Sequence, residues 1–472
     1  MWQRGDVLDL LDPPRTYRSL FAVPGFRRLA GAGLVVRTGA NMQALVLVLF
    51  VLQRFHSPPL AGLVVFLSLV PGLLISPVAG ALLDRHRRVL LINLDYAIAA
   101  VALCGIAGLD AAGRLPAAAL LVIISLASLT NPLSNSGTRS LFPVMVPRPL
   151  WERANAVDSG AFVVAAIAGP ALAGLLIGVV GAVAALLATA AFYVVGLVLL
   201  LGMTEPALER MVSGSLTGDA LAGLRYVVRQ RELRGLAVAT AVSNIAFGIL
   251  TVGMPVLLLS HLHVGDGSVG LMYAVMGVAG LIASVVAGRL NSENREVWFI
   301  VVGCAVSSLS MLAMVVAASI GGGLVAVAIA MALFGIANGP YDIGLFSLRQ
   351  RVTSPAWMGR AFAVSMSLNF IGMPIGSVLA GPIVERSLPI AFAVAVVVDV
   401  IAAVAAVLML RPRRGVAPRS GESVDDVATS SALRGEDLAT SRGERTTCVR
   451  TGILAGREEV RDAEQPDPGG KG

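Results

Sequence analysis

Apolar residues in this chain arrive in blocks of about 20, the length at which a helix spans the hydrocarbon core of a bilayer. A helix-length window finds twelve such blocks. They run roughly over 29–53, 59–83, 89–110, 116–138, 157–180, 182–203, 236–260, 268–288, 297–320, 322–347, 362–384 and 388–410. Composition supports the same reading: 56% of residues are hydrophobic and only 14% charged, against about 25% charged in soluble domains. An ordinary soluble enzyme is excluded, as are disorder throughout and a collagen-like chain. Cys104, Cys304 and Cys448 are the only cysteines, so no disulfide framework is implied. The expected fold class is an all-α polytopic membrane protein.

Charge orients the spans. The chain carries a net +7, with Lys471 the only lysine among 36 basic residues. From 411 onward there are 11 basic and 11 acidic residues, so the whole excess belongs to the membrane part. With the N-terminus inside, sixteen arginines fall in the inner loops: Arg85, Arg87, Arg88, Arg139, Arg148, Arg153, Arg210, Arg225, Arg229, Arg231, Arg234, Arg289, Arg295, Arg349, Arg351 and Arg360. Arg4, Arg15, Arg18, Arg27 and Arg28 precede span one, while the outer loops hold only Arg54, Arg114 and Arg386. This bias predicts a multi-pass protein of the cell membrane with both termini cytoplasmic. Short arginine loops between apolar blocks orient a chain; they do not form a patch that tracks phosphates, so no nucleic-acid partner is expected.

Five regions follow from these patterns. Residues 1–28 form a cytoplasmic N-terminal segment without a signal peptide's apolar stretch. Residues 29–203 form a first six-helix half, 204–235 a charged cytoplasmic linker, 236–410 a second half, and 411–472 a disordered cytoplasmic tail. Helical periodicity in Leu221–Leu233 suits a segment lying along the inner membrane surface. Gly339 and Pro340 are expected to interrupt span ten, and Pro374 span eleven.

The halves are related. A shift of 207 residues brings Arg153 onto Arg360, Gly169 onto Gly376, Gly174 onto Gly381, Asn131 onto Asn338 and Gly137 onto Gly344. Near a shift of 208, Ala79-Gly80 falls on Ala287-Gly288. Two parallel six-helix repeats predict a substrate site at their interface, near the bilayer midplane, reached alternately from either side.

With these features in hand, Gly80-Ala-Leu-Leu-Asp84-Arg85-His-Arg-Arg88 resembles the signature loop of the major facilitator superfamily. Phe26-Arg-Arg-Leu, Arg153-Ala-Asn-Ala, Gly169-Pro-Ala-Leu-Ala-Gly174 and Gly223-Leu-Arg-Tyr-Val resemble its drug-efflux branch, which includes macrolide and siderophore exporters. The resemblance covers about residues 20–410 and implies two six-helix pseudo-repeats of the major facilitator fold. It implies that Asp84 accepts hydrogen bonds at the start of span eleven, near Ala361, and locks the inner side. Gly80 would allow close helix approach there, and Arg85 and Arg88 would bind Asp84 or lipid phosphates. The copy from Gly288 to Arg295 lacks the Asp-Arg core and is assigned no lock. Gly169 and Pro170 would shape the outer half of the pathway, or simply permit tight packing with Gly174; Pro374, Gly376 and Gly381 carry the same two readings.

Ionisable residues inside spans are costly and mark function. Arg37, Asp95, Asp342 and Asp399 stand out. By the resemblance, spans one, four, seven and ten line the cavity, so Arg37 and Asp342 face it and are expected to pair. Asn338 is one turn from Asp342, and Asn131 is its repeat equivalent in span four. Asp342 is the expected proton-titrating or cation-attracting group, or else half of a fixed salt bridge. Asp95 is expected either on the substrate or proton pathway, as are Asn41 and Asn131, or simply as a partner of the Arg88 cluster. Asp399 has no assigned role. Family relatives carry an acid after the glycine of span one; here Ala40 and Asn41 follow Gly39, so span one supplies none.

No Gly-Lys-Ser/Thr phosphate loop and no Ser/His/Asp arrangement is present, so neither ATP use nor enzymatic activity is expected. His261 and His263 have only Asp266 nearby, and no metal or other cofactor is expected. The expected function is proton-coupled export of a small amphipathic molecule by a monomer among membrane lipids. The alternatives are an importer or facilitator on the same fold, and a transporter-like sensor.

Overall fold

The structure is a computed structural model that describes residues 16–205, 216–290, 295–320, 323–353 and 358–410. The expected disordered tail, 411–472, lies outside the described residues. Among them, eleven runs are long and apolar enough to cross a membrane. One, Arg153–Leu200, is 48 residues long and holds two spans. It reverses at Gly181, whose φ of +83° and ψ of 168° only glycine adopts without strain. Twelve spans result.

Span one is Phe26–Phe55, two Pro58–Arg85, three Arg88–Ala111, five Trp151–Val180 and six Ala182–Leu200. Span four is two helices, Ala117–Ser128 and Asn131–Met145. Span seven is Arg231–Val256 with a π-turn to His261, eight Gly267–Ala287, nine Glu296–Ile320 and ten Gly323–Val352. Span eleven is Met358–Phe370 followed by Gly372–Arg386, and span twelve is Leu388–Met409. A short helix, Tyr17–Ala22, capped by Thr16, precedes span one. We call the face on which span one begins the near face, and the opposite one the far face.

The expected interruptions are only partly where the prolines suggested. Span ten runs unbroken through Gly339 and Pro340, with Gly335 packed on span eight and Gly344 on span nine. Span eleven does break, but at Ile371, ahead of Pro374. Span four breaks at Leu129–Thr130, where Pro132 sits in the first turn of the following helix. The linker helix is Leu216–Arg229, and span seven begins at Arg231, earlier than its apolar block suggested. Val227 of the linker helix is buried beside Val352, Val364 and Leu368, while Leu221, Leu224 and Val228 are exposed.

Packing repeats between the halves. Span one packs on five and six, three on six, and two and three on four. Seven correspondingly packs on eleven and twelve, nine on twelve, and eight and nine on ten. Between halves, span two meets eleven and five meets eight. Individual contacts repeat too. A Cβ on Gly72 would sit 2.4 Å from the Ser128 carbonyl oxygen, and one on Gly280 3.2 Å from that of Gly335. Gly137 meets Ile92 as Gly344 meets Phe299. His56 and His263, 207 residues apart, end spans one and seven with φ of 49° and 51°. The register read from the sequence is a register in space.

Candidate functional site

The two halves are sealed together toward the far face. A Cβ on Gly62 of span two would lie 2.1 Å from the Ser377 carbonyl oxygen, and one on Gly381 2.5 Å from Cα of Pro59. Gly174 and Gly270 pack backbone on backbone between spans five and eight, as do Gly178 and Gly267. In this part of the bundle Leu45–Val51 and Gly248–Leu258 are buried without interruption, so spans one and seven are enclosed all round. Toward the near face the pattern reverses. Cβ atoms on Gly80 and Gly160 would meet nothing within 4 Å. Span eleven touches span two through its far piece, whereas its near piece packs on span seven and the linker helix. The space between the halves therefore opens toward the near face.

The close helix approach expected at Gly80 is not made in this open state, where its Cβ would meet nothing within 4 Å. The Asp84 side chain and that of Ala361 lie outside the described residues. Arg85 is exposed. Arg88 donates to the Ser140 carbonyl at 3.0 Å, so it ties span three to span four.

Arg37 does not pair with Asp342. Its guanidinium is 2.6 Å from Asp158 Oδ1 of span five, and a second donor reaches the Asp158 carbonyl at 3.2 Å. Each side chain keeps 17% exposure, enough for contact with the space between the halves. Asp158 escaped sequence reading because it sits at the edge of its apolar block and looked like a span boundary. Asn41 donates to the Arg37 carbonyl at 2.8 Å and abuts Gly169, whose missing side chain lets spans one and five cross. Pro170 lies inside the unbroken helix of span five and presents its carbonyl to Gly270.

Asp95 is buried and accepts from the Thr130 hydroxyl at 2.6 Å. Its expected partnership with the Arg88 cluster is not formed, since Arg88 points to Ser140 instead. Asn131 donates to the Ser68 carbonyl at 3.3 Å. It lines a pocket within the first half, with Gln43, Ser68 and Ser128, of about 10 Å³. That is room for one water at most, not for a substrate.

Span ten carries the open polar groups. Val325, Ile329 and Ile336 are exposed along one stripe, the lipid-facing side of this helix. At 100° per residue, Asp342 lies about 120° around from that stripe, with Asn338 on its own side one turn earlier. The flanking positions are fixed: Gly339 against span eight, Tyr341 against Gly303 of span nine, and Phe334 stacked on Phe247 of span seven at 5.7 Å. Asp342 is nonetheless exposed and Asn338 half-buried. Among the described residues neither makes a hydrogen bond or ion pair. They face the space between the halves.

Three polar positions were missed or left without a role. Asn244 of span seven donates to Asn369 of span eleven at 2.9 Å, beside the break at Ile371. Pro374, Gly376 and Ser377 follow on the buried side, with Gly376 against the Ile245 carbonyl. Asp399, in span twelve, is fully buried and accepts from Ser243 Oγ at 3.0 Å and Ser307 Oγ at 2.5 Å. Its orientation was legible: Leu388, Ala391, Phe392, Ala395, Asp399, Ala402 and Ala406 form the buried stripe of that span.

The sequence profile described as Major Facilitator Superfamily matches residues 29–377 and, again, 236–456. The chain is 37% identical over 396 residues to a protein of Sinorhizobium fredii (strain NBRC 101917 / NGR234) described as an uncharacterized MFS-type transporter, y4rN. That alignment covers 83% of this chain and 96% of the relative. It is 26% identical over 370 residues to the multidrug efflux pump Tap of Mycobacterium tuberculosis (strain ATCC 25618 / H37Rv), covering 75% and 86%. Among solved structures, the nucleoside transporter NupG aligns with a TM-score of 0.63 at 13% identity, covering 83% of this chain and all of that one. A bacterial homolog of the human lysosomal transporter Spinster, in an inward-facing and unoccupied conformation, aligns at 0.64 and 15% identity, covering 84% and 98%.

Proposed function

The chain belongs to the major facilitator superfamily, and from that premise we propose that it exports a small amphipathic molecule from the cytoplasm in exchange for protons. The observation that carries this reading is the unpartnered pair Asn338 and Asp342, facing the space that opens to the near face. The arginine bias between the faces makes the near face cytoplasmic, so cargo enters from the cell interior. The likeness to a multidrug efflux pump supports outward transport.

In this reading the two halves rock about the pathway between them. Arg37 stays neutralised by Asp158, which leaves Asp342 as the acid that cargo and proton share. A cargo that makes contact with Asp342 favours its deprotonated form, and a proton arriving from the far side displaces that cargo. Each ligand thus biases the same equilibrium between the two states. Asp84, Arg85 and Arg88 would close the near face when the far face opens, with Gly80 then in close contact. The linker helix, carrying exposed Leu221 and Val228 beside Arg225 and Arg229, would rest on the lipid surface.

Inverted membrane vesicles with ethidium as the probe test the proposal. Acidifying the vesicle interior is expected to drive ethidium inward through the wild-type protein. Asp342→Asn should remove that accumulation while the protein remains in the membrane. Unchanged accumulation in Asp342→Asn would sink the assignment, and movement in the opposite direction would identify an importer.

A further inference from the structure

Asp399 is not on the pathway between the halves. It lies inside the second half, where spans seven, nine and twelve meet, about midway along those spans. Ser243 is twelve residues into span seven and Ser307 eleven into span nine, about 17–18 Å from the near ends. The residue has no exposed surface. Among the described residues, the groups that face it are Ser243 from span seven, Ser307 and Cys304 from span nine and Tyr341 from span ten, none of them a cation. Span eleven carries its ionisable residues only at its ends, Arg360 in the first near turn and Glu385 and Arg386 at the far end. No salt bridge to Asp399 is formed among the described residues.

An acid in such a place is not needed for packing. In the first half the corresponding three spans are tied by neutral groups: Tyr193 of span six donates to Gln43 of span one at 2.7 Å, with Tyr96 of span three at 6.3 Å between ring centroids. The second half places a carboxyl at that junction, whereas the buried acid of the first half, Asp95, is bonded outward to Thr130 of span four. A carboxylate removed from water without a cation is costly, and hydroxyl donors offset only part of that cost. A carboxyl that keeps its proton avoids the cost, and can give the proton up only when something else in the cycle compensates.

A second observation points inward from Asp399 toward the cavity. The Tyr341 hydroxyl is buried and makes no hydrogen bond. It is packed in the same apolar cluster as Cys304 and lies beside Ser243, whose hydroxyl donates to Asp399. Tyr341 and Asp342 are neighbours on span ten, turned about 100° apart: one points into the half, the other into the space between the halves. A buried hydroxyl beside that of Ser243, between a buried acid and an open one, is placed to accept one proton and release another.

We propose that Asp399 is a second proton-binding carboxyl of this transporter, connected to Asp342 through the hydroxyls of Ser243 and Tyr341. Along that chain each hydroxyl oxygen gains one proton as it loses its own. The net change is a proton transferred between two carboxyl groups, with no other bond made or broken. The inference rests on the transporter reading, but its main test requires no cargo.

That test is pH-difference infrared spectroscopy on the full-length chain in lipid nanodiscs, reading the C=O stretch of protonated carboxyls. Asp342→Asn is expected to retain a titrating band that Asp399→Asn lacks. Asn keeps the size of Asp and can still bond both serines, so Asp399→Asn should unfold thermally near the wild-type temperature. Ser243→Ala and Ser307→Ala, which each leave the acid in place, should shift the midpoint of that band. An Asp399 band that never titrates, or no spectral difference between Asp399→Asn and the wild type, would overturn the proposal in favour of a fixed structural tie. In proteoliposomes, Asp399→Asn should lose ~10-fold or more of gradient-driven ethidium accumulation while ethidium exchange at equal pH persists. Wild-type protein that moves no ethidium would count against the export reading alone, since the infrared result stands without it.

Discussion

Gly72 against Ser128 in the first half and Gly280 against Gly335 in the second are one contact made twice. The same holds for Gly137 with Ile92 and Gly344 with Phe299. Against that shared packing, the acids of the two halves are treated differently. Asp158 is ion-paired to Arg37 at 2.6 Å, and Asp95 takes a hydroxyl within a sealed seat. In the second half Asp342 faces open space without a partner, and Asp399 is buried with hydroxyls alone. Geometry can be duplicated while chemistry is divided. Each half buries one acid among hydroxyls, Asp95 or Asp399, but the first half closes its remaining acid in an ion pair while the second leaves Asp342 open.

Making the second half resemble the first should do most damage. Asn338→Arg would place a cation one turn from Asp342, the spacing at which oppositely charged side chains meet on a helix. The open acid would then be paired like Asp158. Gradient-driven ethidium accumulation in inverted vesicles should fall ~10-fold or more, with protein still in the membrane. Transport at the wild-type rate would show that an unpaired Asp342 is not required.

Making the first half resemble the second should affect stability more than transport. Asp158→Asn leaves Arg37 part-buried without its charge partner, at a cost of about 1–3 kcal/mol. Adding Arg37→Gln should recover most of that loss, giving a coupling energy of similar size in a double-mutant cycle. Thermal unfolding in detergent measures it; additive effects would mean that the pair is not a unit.

The smallest test compares the far and near parts of one helix. Gly62→Ala forces a methyl toward the Ser377 carbonyl oxygen, where the ideal Cβ would lie 2.1 Å away, and overpacking of this kind costs about 1–3 kcal/mol. Gly80→Ala meets open space and should change stability by no more than about 0.5 kcal/mol in the loss direction. Equal losses at both positions would contradict a seal confined to the far side.

The sequence made most of this fold readable because its signals are one-dimensional: span length, loop charge and a fixed repeat offset. Span twelve displayed the buried side of Asp399 in its spacing of alanines. Interhelical partners were less legible. Nothing local in Arg37 says that it reaches span five rather than span ten, and Asp158 resembles any acid at a helix end. Proline was a poor guide to breaks. Pro340 is absorbed by an unbroken helix that packs on its neighbours through glycines, whereas span four yields at Thr130, just before a proline that suits a helix start. Those outcomes depend on what packs alongside, which no single segment reveals.

The far seal consists of Gly62, Gly174, Gly178, Gly267, Gly270 and Gly381 pressed against backbone. Its contacts include no ion pair among the described residues. Breaking these contacts separates no ion pair, whereas one elementary charge crossing the full field is worth about 2.3 kcal/mol per 100 mV. Membrane voltage therefore has nothing to pull on in the gate itself. In the proposed cycle it acts on the net charge that Asp342, Asp399 and their ligands carry between the two sides, so the electrical dependence of transport would read out the ratio of protons to cargo.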